Sequence, residues 1–594
     1  MTAGVAALGA RARGRAILLP AAILLTAVAV WIAFLAFTGI RLEDALITWR
    51  YAGNIAEGRG FVFNEGERVL GTTTPLLTLA LGSLGSIFGA ASIPILTSIM
   101  MMASAAGAGL FTRAALLRCG FSEPIAIFAM ATYLFHPDTL WTSTGGMETP
   151  LVVFCMAGGL WALASERFTL AGAAAALLVL TRIDGALWAA GIFAFILARR
   201  PREAWRPAAV AAALLVPWLL FAFLYFGSPI PHSIIAKRAI GAAVQPFGAE
   251  LTWAFAGWCA PFLATSTGAG TLIGIALFVA GVFALRRRGG ASPLWLAACF
   301  PPLFFAALYI GRSPLYFDWY LVPAGWAALV VGCAGAGSIA EKIIATTGRR
   351  TLSRAEAPVE TGQSDAARLE PSPLSSIAHL TAAARVEQAP PSSIDYRSTA
   401  GRSEKTPRSS IAHPSAAAAA AVIAVLLLAH FAILAYRGLT VARLHRDYQT
   451  NETGARRRIG EWLAENTPVG SSVAMEAIGY QASYSRRRVI DLAGLVSPEV
   501  VRLTQESRSN AEAFRRILDE LSPDYLVLRS FEVDANRHFH GGPLFETPRQ
   551  AIAFFSRYEE ATRFTAPIPD LWGDTARLTI FKRRVPPFPS IGGQ

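Results

Sequence analysis

Leu42-Glu43-Asp44-Ala45-Leu46-Ile47-Thr48-Trp49-Arg50-Tyr51 follows directly on an uncharged run, residues 16–40, that is long enough to cross a membrane. Two adjacent carboxylates at the mouth of a span are costly unless water or a partner reaches them. On a helix, Asp44, Thr48 and Tyr51 share one face at i, i+4 and i+7, so a carboxylate, a hydroxyl and a phenol point one way. The same residues also suit a solvated helix start, with acids placed against the positive end of the helix dipole. The rest of the chain separates these two readings.

Of the 594 residues, 54% are hydrophobic and 16% charged, the composition of a polytopic membrane protein. The net charge of +13 comes from short basic clusters between apolar runs, at Arg11, Arg13 and Arg15, at Arg199, Arg200 and Arg202, and at Arg286, Arg287 and Arg288. That dispersal follows the positive-inside rule and argues against a nucleic-acid surface. The five cysteines show neither metal-ligand spacing nor a disulfide framework. The first apolar run is too long for a cleavable signal and reads as a signal anchor, with the N-terminus in the cytoplasm.

Residues 76–88 are apolar but short, which predicts a re-entrant or interfacial helix, or else a tight hairpin of two spans. If they do not cross, Arg113 and Arg118 fall on the cytoplasmic side and the later apolar runs alternate consistently. About eleven spans result, counted at roughly 20 residues each. The expected fold class is therefore an α-helical polytopic membrane protein with a soluble mixed α/β domain at its C-terminus. Residues 1–340 form the transmembrane module. Residues 341–415 are rich in Ser, Pro and Ala, repeat Ser-Ser-Ile-Ala-His at 375–379 and 409–413, and are expected to be a disordered cytoplasmic insertion. Residues 416–437 are the last span, and 438–594 the extracytoplasmic domain. In that domain strands are expected over 472–475, 488–492, 525–528 and 577–582, and helices over 455–465 and 510–521.

This topology places Glu43, Asp44, Arg50, Glu148, Arg182, Asp184, His232, Lys237, Arg238 and Arg312 on the outer face. Acids and cations around one cavity suit a reaction between an anionic, lipid-linked group and a neutral nucleophile. Cations hold a phosphate, and a carboxylate takes the proton of an attacking hydroxyl. Singly, each residue is also readable as a snorkelling interfacial side chain.

Four motifs stand in order. They are Glu43-Asp44 with the loop through Asn64-Glu65-Gly66-Glu67-Arg68-Val69, Thr144-Gly145-Gly146-Met147-Glu148-Thr149, Thr181-Arg182-Ile183-Asp184-Gly185, and Pro231-His232-Ser233-Ile234-Ile235-Ala236-Lys237. Val489-Ile490-Asp491-Leu492-Ala493-Gly494 follows in the outer domain. The chain, apart from 341–415, resembles the C-type glycosyltransferase superfamily, and within it the AftB-type polyprenyl-phosphate-dependent arabinofuranosyltransferases. It departs from them at Glu43, where relatives often carry Asp, at Thr72-Thr73-Thr74-Pro75, where they carry Tyr-Asn, and at His232, where they carry Asn.

The resemblance implies an outer-face active site that takes a sugar from a polyprenyl-phosphate donor to a cell-envelope glycan, lipid or protein at a bacterial inner membrane, with inversion. It implies Asp44 as general base and Glu43 as its support, by a hydrogen bond or through a divalent cation. Arg182 and Lys237, with His232, Arg238 and Arg312, would bind the donor. Glu148, Asp184, Arg50 and Tyr51 would position substrate. The alternatives are a transporter or flippase of a lipid-linked sugar, for which charges at mid-membrane would be expected, and a non-catalytic glycan-binding membrane protein.

Overall fold

The structure is a computed structural model and describes residues 2–241, 268–287, 292–310, 318–355, 414–533, 544–569 and 576–584. Helix α1 (Thr2–Thr38) brings the chain to α2 (Glu43–Ala56), which begins with both acids in its first turn; beyond its end, Gly58, at φ 77°, turns the chain away from the helix. After a loop come α3 (Pro75–Phe88) and α4 (Ile93–Arg118). Then α5 (Glu123–Leu134), α6 (Pro137–Thr144), α7 (Thr149–Ala164) and α8 (Phe168–Thr181) follow with short links. Next are α9 (Ala186–Arg199), α10 (Trp205–Phe226) and α11 (His232–Gly241), then α12 (Gly268–Arg287), α13 (Leu294–Ile310), α14 (Asp318–Ala355) and α15 (Pro414–Asn451).

The helices form a bundle whose centre is apolar and aromatic. Trp31, Trp188 and Trp326 are fully buried. Trp326 donates to the Thr112 hydroxyl at 3.0 Å and Trp31 to the Leu134 carbonyl at 3.2 Å, so these two indoles meet the need of a buried N–H. Burial separates central from lipid-facing spans: 83% of the apolar window of Trp319–Ile343 is buried, but only 11% of that of Pro201–Phe226. Gly281 and Gly335 lie where a Cβ would strike the backbone of the opposing helix, so α12 and α14 cross at small residues.

Among the described residues five helices are long and apolar enough to cross a membrane, or six if α6 and α7, bent by 116°, are one broken span. About eleven were expected. The difference lies in six expected spans, at α5, α7, α8, α9, α12 and α13, of which α5, α8 and α13 are apolar but short; α3, not expected to cross, is short as well. A 14-residue helix rises about 21 Å against a hydrocarbon core of about 30 Å, so packing within the bundle defines these elements as much as length does. Residues 76–88 form one helix lying against α2 and α4, not a hairpin. The polar stretch 136–148 between α5 and α7 contains α6.

The chain divides into two units, residues 1–340 with 426–594, and residues 341–425. The expected disorder from 341 onward gives way over its first residues, since α14 continues to Ala355; residues 356–413 lie outside the described residues. The last span also runs past its expected end at 437. Helix α15 continues to Asn451, and a π-helical turn (Glu452–Arg457) leads into α16 (Arg458–Asn466).

Beyond α16 the chain forms β1 (Ser472–Met475), α17 (Tyr480–Ser485), β2 (Arg488–Asp491), α18 (Pro498–Gln505), α19 (Asn510–Glu520) and β3 (Tyr525–Arg529). It closes with α20 (Pro548–Arg557), β4 (Tyr558–Thr565) and β5 (Arg577–Arg583). The sheet order is β2-β1-β3-β5-β4, with β1 parallel to β2 and β3 and the other pairs antiparallel. Strand β4 was not anticipated: only alternate residues face the protein, and their polar neighbours mask the pattern.

Candidate active site

The start of α2 sets the geometry. Its two acids are neighbours in sequence and differ in surroundings. Glu43 accepts N–H donors from Gly479 at 2.5 Å and Tyr480 at 3.1 Å, and Arg456 Nη1 lies 3.8 Å away, itself paired with Glu452. Glu43 thus ties α2 to the C-terminal domain. Burial raises its pKa, against the opposing charge of Arg456. Asp44 is half-buried and, among the described residues, accepts no hydrogen bond and makes no ion pair. Burial raises its pKa too, and the charge of Lys237 works against that rise.

The α6–α7 bend seats α2. Gly145 O accepts from Leu42 N at 3.0 Å, in place of a side-chain cap. Gly146 has φ 92°, and a Cβ there would come within 2.7 Å of Trp49 and 3.0 Å of Ala45. Glu148, buried at 4% exposure, follows at the start of α7 and is electrostatically coupled to Asp44 and Arg182.

Helix α8 ends at Arg182, whose extended backbone turns the chain out of the helix. Arg182 is 2% exposed. Its guanidinium donates to both Asp184 oxygens, at 3.0 and 2.5 Å, and Nε lies 3.6 Å from Glu148. Its Cζ sits 4.6 Å from the centre of the Tyr320 ring, and its Nη1 is buried with no hydrogen-bond partner. Lys237, on α11, donates to the Tyr320 hydroxyl at 2.9 Å. Burial disfavours the ammonium, but Tyr320 and Asp44 more than offset it and raise the Lys237 pKa. Arg182 and Lys237 thereby meet at Tyr320, with Glu148 and Asp184 against Arg182 and the charge of Asp44 acting on Lys237.

Tyr320 was missed by sequence reasoning. The pair Trp319-Tyr320 at the head of a span has the look of an interfacial aromatic belt, which hides a polar role.

Other expected site residues have protein partners instead. Arg50 donates to the carbonyls of Phe63, Ala482 and Arg487 at 2.9, 2.6 and 2.9 Å. The Tyr51 hydroxyl donates to Val69 O at 2.7 Å and accepts from Gly71 N at 2.9 Å. Both hold the loop after α2 instead of joining the group at Tyr320, because that loop's backbone has no ladder of its own. Asn64 adds to this by pairing with both the N–H and C=O of Val489, covering the edge of β2. His232 donates its backbone N–H to Leu70 O at 2.7 Å, and the charge acting on its ring is Glu499. Arg238 is exposed, and Arg312 lies outside the described residues.

Both Glu43 oxygens are taken by backbone N–H groups, and among the described residues no group of three or more His, Cys, Asp or Glu is placed to hold an ion.

In comparisons with solved structures, the chain is similar to ArnT from Cupriavidus metallidurans. The apo form gives a TM-score of 0.53 at 14% identity over 96% of this chain and 98% of that one. The form bound to undecaprenyl phosphate gives 0.51 at 14%, over 94% and 97%. The Archaeoglobus fulgidus oligosaccharyltransferase tethered to an acceptor peptide gives 0.52 at 13%, over 94% and 73%. The chain therefore has the C-type glycosyltransferase fold. Residues 442–581 match the family model described as Domain of unknown function (DUF8728). No curated protein matches the sequence.

Proposed function

We propose that this chain is a membrane glycosyltransferase that moves a sugar from a polyprenyl-phosphate carrier to a hydroxyl of an extracytoplasmic envelope acceptor. The observation that carries the reading is the contrast at the site. Asp44 is a carboxylate without a partner among the described residues, and Lys237 and Arg182 both contact Tyr320, the latter with an uncommitted buried donor. The similarity in fold to a protein solved with undecaprenyl phosphate supports the donor class.

In this mechanism Asp44 accepts the proton of the acceptor hydroxyl as its oxygen attacks the anomeric carbon. The new C–O bond forms as the bond from that carbon to the carrier phosphate breaks. The polyprenyl phosphate leaves with the electron pair, stabilised by Arg182 Nη1 and the Lys237 ammonium. Glu148 and Asp184 hold Arg182 in place. A single displacement inverts the anomeric centre. By the charge rule the N-terminus is cytoplasmic and the site and C-terminal domain are extracytoplasmic.

The test is transfer in membranes supplied with the lipid-linked donor. Asp44→Asn is expected to lower it by about 10²- to 10⁴-fold, and wild-type transfer by that variant overturns the assignment.

A further inference from the structure

A cavity of about 650 Å³ lies away from the Asp44 site. Helices α7 and α8 join the two places. Glu148 and Arg182 stand at one end of this pair, and the cavity is lined at the other end, including by Phe168. The volume is that of a ligand pocket. Its lining is mixed, with the rings of Phe168 and Phe195 beside the guanidinium groups of Arg118, Arg199 and Arg200. Arg118 makes no ion pair or hydrogen bond among the described residues.

The one acid on the rim is Glu166, 3.5 Å from Arg200, and both side chains are more than half exposed, at 68% and 51%. Such a pair contributes little. Glu166 also sits at φ 54°, in the turn that ends α7, where glycine is the usual occupant. A strained residue that places a carboxylate against a basic rim acts as an internal counter-ion, standing where an external anion would bind.

We infer that this cavity binds the headgroup of an anionic phospholipid from the leaflet opposite the Asp44 site. Its arginines would meet the phosphate and its phenylalanines the first part of the acyl chains. The short helices give the pocket a physical reason. Helices α7 and α8 have 16 and 14 residues, so they rise about 24 and 21 Å. That is less than a hydrocarbon core of about 30 Å, a mismatch that local thinning of the bilayer accommodates. A recessed basic pocket draws a headgroup inward there.

The test titrates the purified full chain with phosphatidylglycerol, phosphatidylcholine, undecaprenyl phosphate or inorganic phosphate, and reads retained lipid by native mass spectrometry. One phosphatidylglycerol per chain is expected, in preference to phosphatidylcholine. Arg118→Gln and Arg200→Gln should each weaken retention about fivefold, and Glu166→Gly should tighten it. Arg202→Gln, an exposed arginine of the same stretch that does not line the cavity, should leave it unchanged. Equal weakening by Arg202→Gln, or equal retention of phosphatidylcholine, overturns the site. Competition by inorganic phosphate alone, or undecaprenyl phosphate held more tightly than phosphatidylglycerol in an Arg118-dependent way, overturns the phospholipid assignment.

Discussion

The Arg182 guanidinium stacks on the ring of Tyr320, 4.6 Å from its centre, while the hydroxyl of the same ring takes a hydrogen bond from Lys237. One tyrosine thus spaces two cations that would otherwise repel each other, and leaves Arg182 Nη1 uncommitted. Tyr320→Phe keeps the stacking surface and removes the anchor of Lys237. A hydrogen bond to a charged group is worth about 1.5–3 kcal/mol, so kcat/KM for the lipid donor should fall roughly 10- to 100-fold. Tyr320→Ala should cost more, because Arg182 also loses its platform. Donor-concentration series on the two variants check this.

Asp44 should give the reaction an acid limb. Burial holds its pKa above the ordinary carboxylate value, against the pull of Lys237. A general base works ionised, so kcat/KM should drop as pH falls through that raised value and level off above it. Asp44→Asn should lower turnover by about 10²- to 10⁴-fold and show no such limb. A pH–rate profile of both proteins decides the point.

Glu43 should behave as a docking residue, unlike its neighbour. Glu43→Ala leaves the N–H groups of Gly479 and Tyr480 without their acceptor. Each buried orphan donor costs about 1–3 kcal/mol. The C-terminal domain should become sensitive to limited proteolysis before the helical bundle does. Glu43→Gln keeps an acceptor oxygen and should retain more resistance and more transfer than Glu43→Ala.

Gly71 should tolerate no side chain. A Cβ there would meet Val496 at 2.5 Å, the Tyr51 hydroxyl at 2.8 Å and Leu495 O at 2.9 Å. Overpacking of this kind costs about 1–3 kcal/mol. Gly71→Ala should lower thermal stability and also activity, because the strand of loop it displaces carries Leu70, the partner of His232 at the start of α11. Thermal unfolding and transfer assays measure both.

Much of the scaffold was readable along the chain. The strand expected over 472–475 is β1 residue for residue, and those expected over 488–492, 525–528 and 577–582 agree with β2, β3 and β5 to within a residue. These are short apolar runs between turn residues, a local signal. Strand β4 lacked that signal. So did α6, whose threonines and serine bond their own helix's carbonyls and read as loop. Four motif residues do form one connected group, Arg182 and Lys237 through Tyr320 and Glu148 and Asp184 through Arg182.

The sequence by itself determined a membrane bundle with acids at the mouth of its first span and a mixed α/β domain after its last, because apolar runs, charge breaks and short-period patterns are properties of neighbouring residues. Only the tertiary structure separated Glu43 from Asp44. The donors that occupy Glu43 lie 436 and 437 positions away, and those carbonyls of the C-terminal domain that hold Arg50 lie 432 and 437 away. Which of two adjacent carboxylates is left open depends on what folds against each, and no local pattern in the chain carries that information.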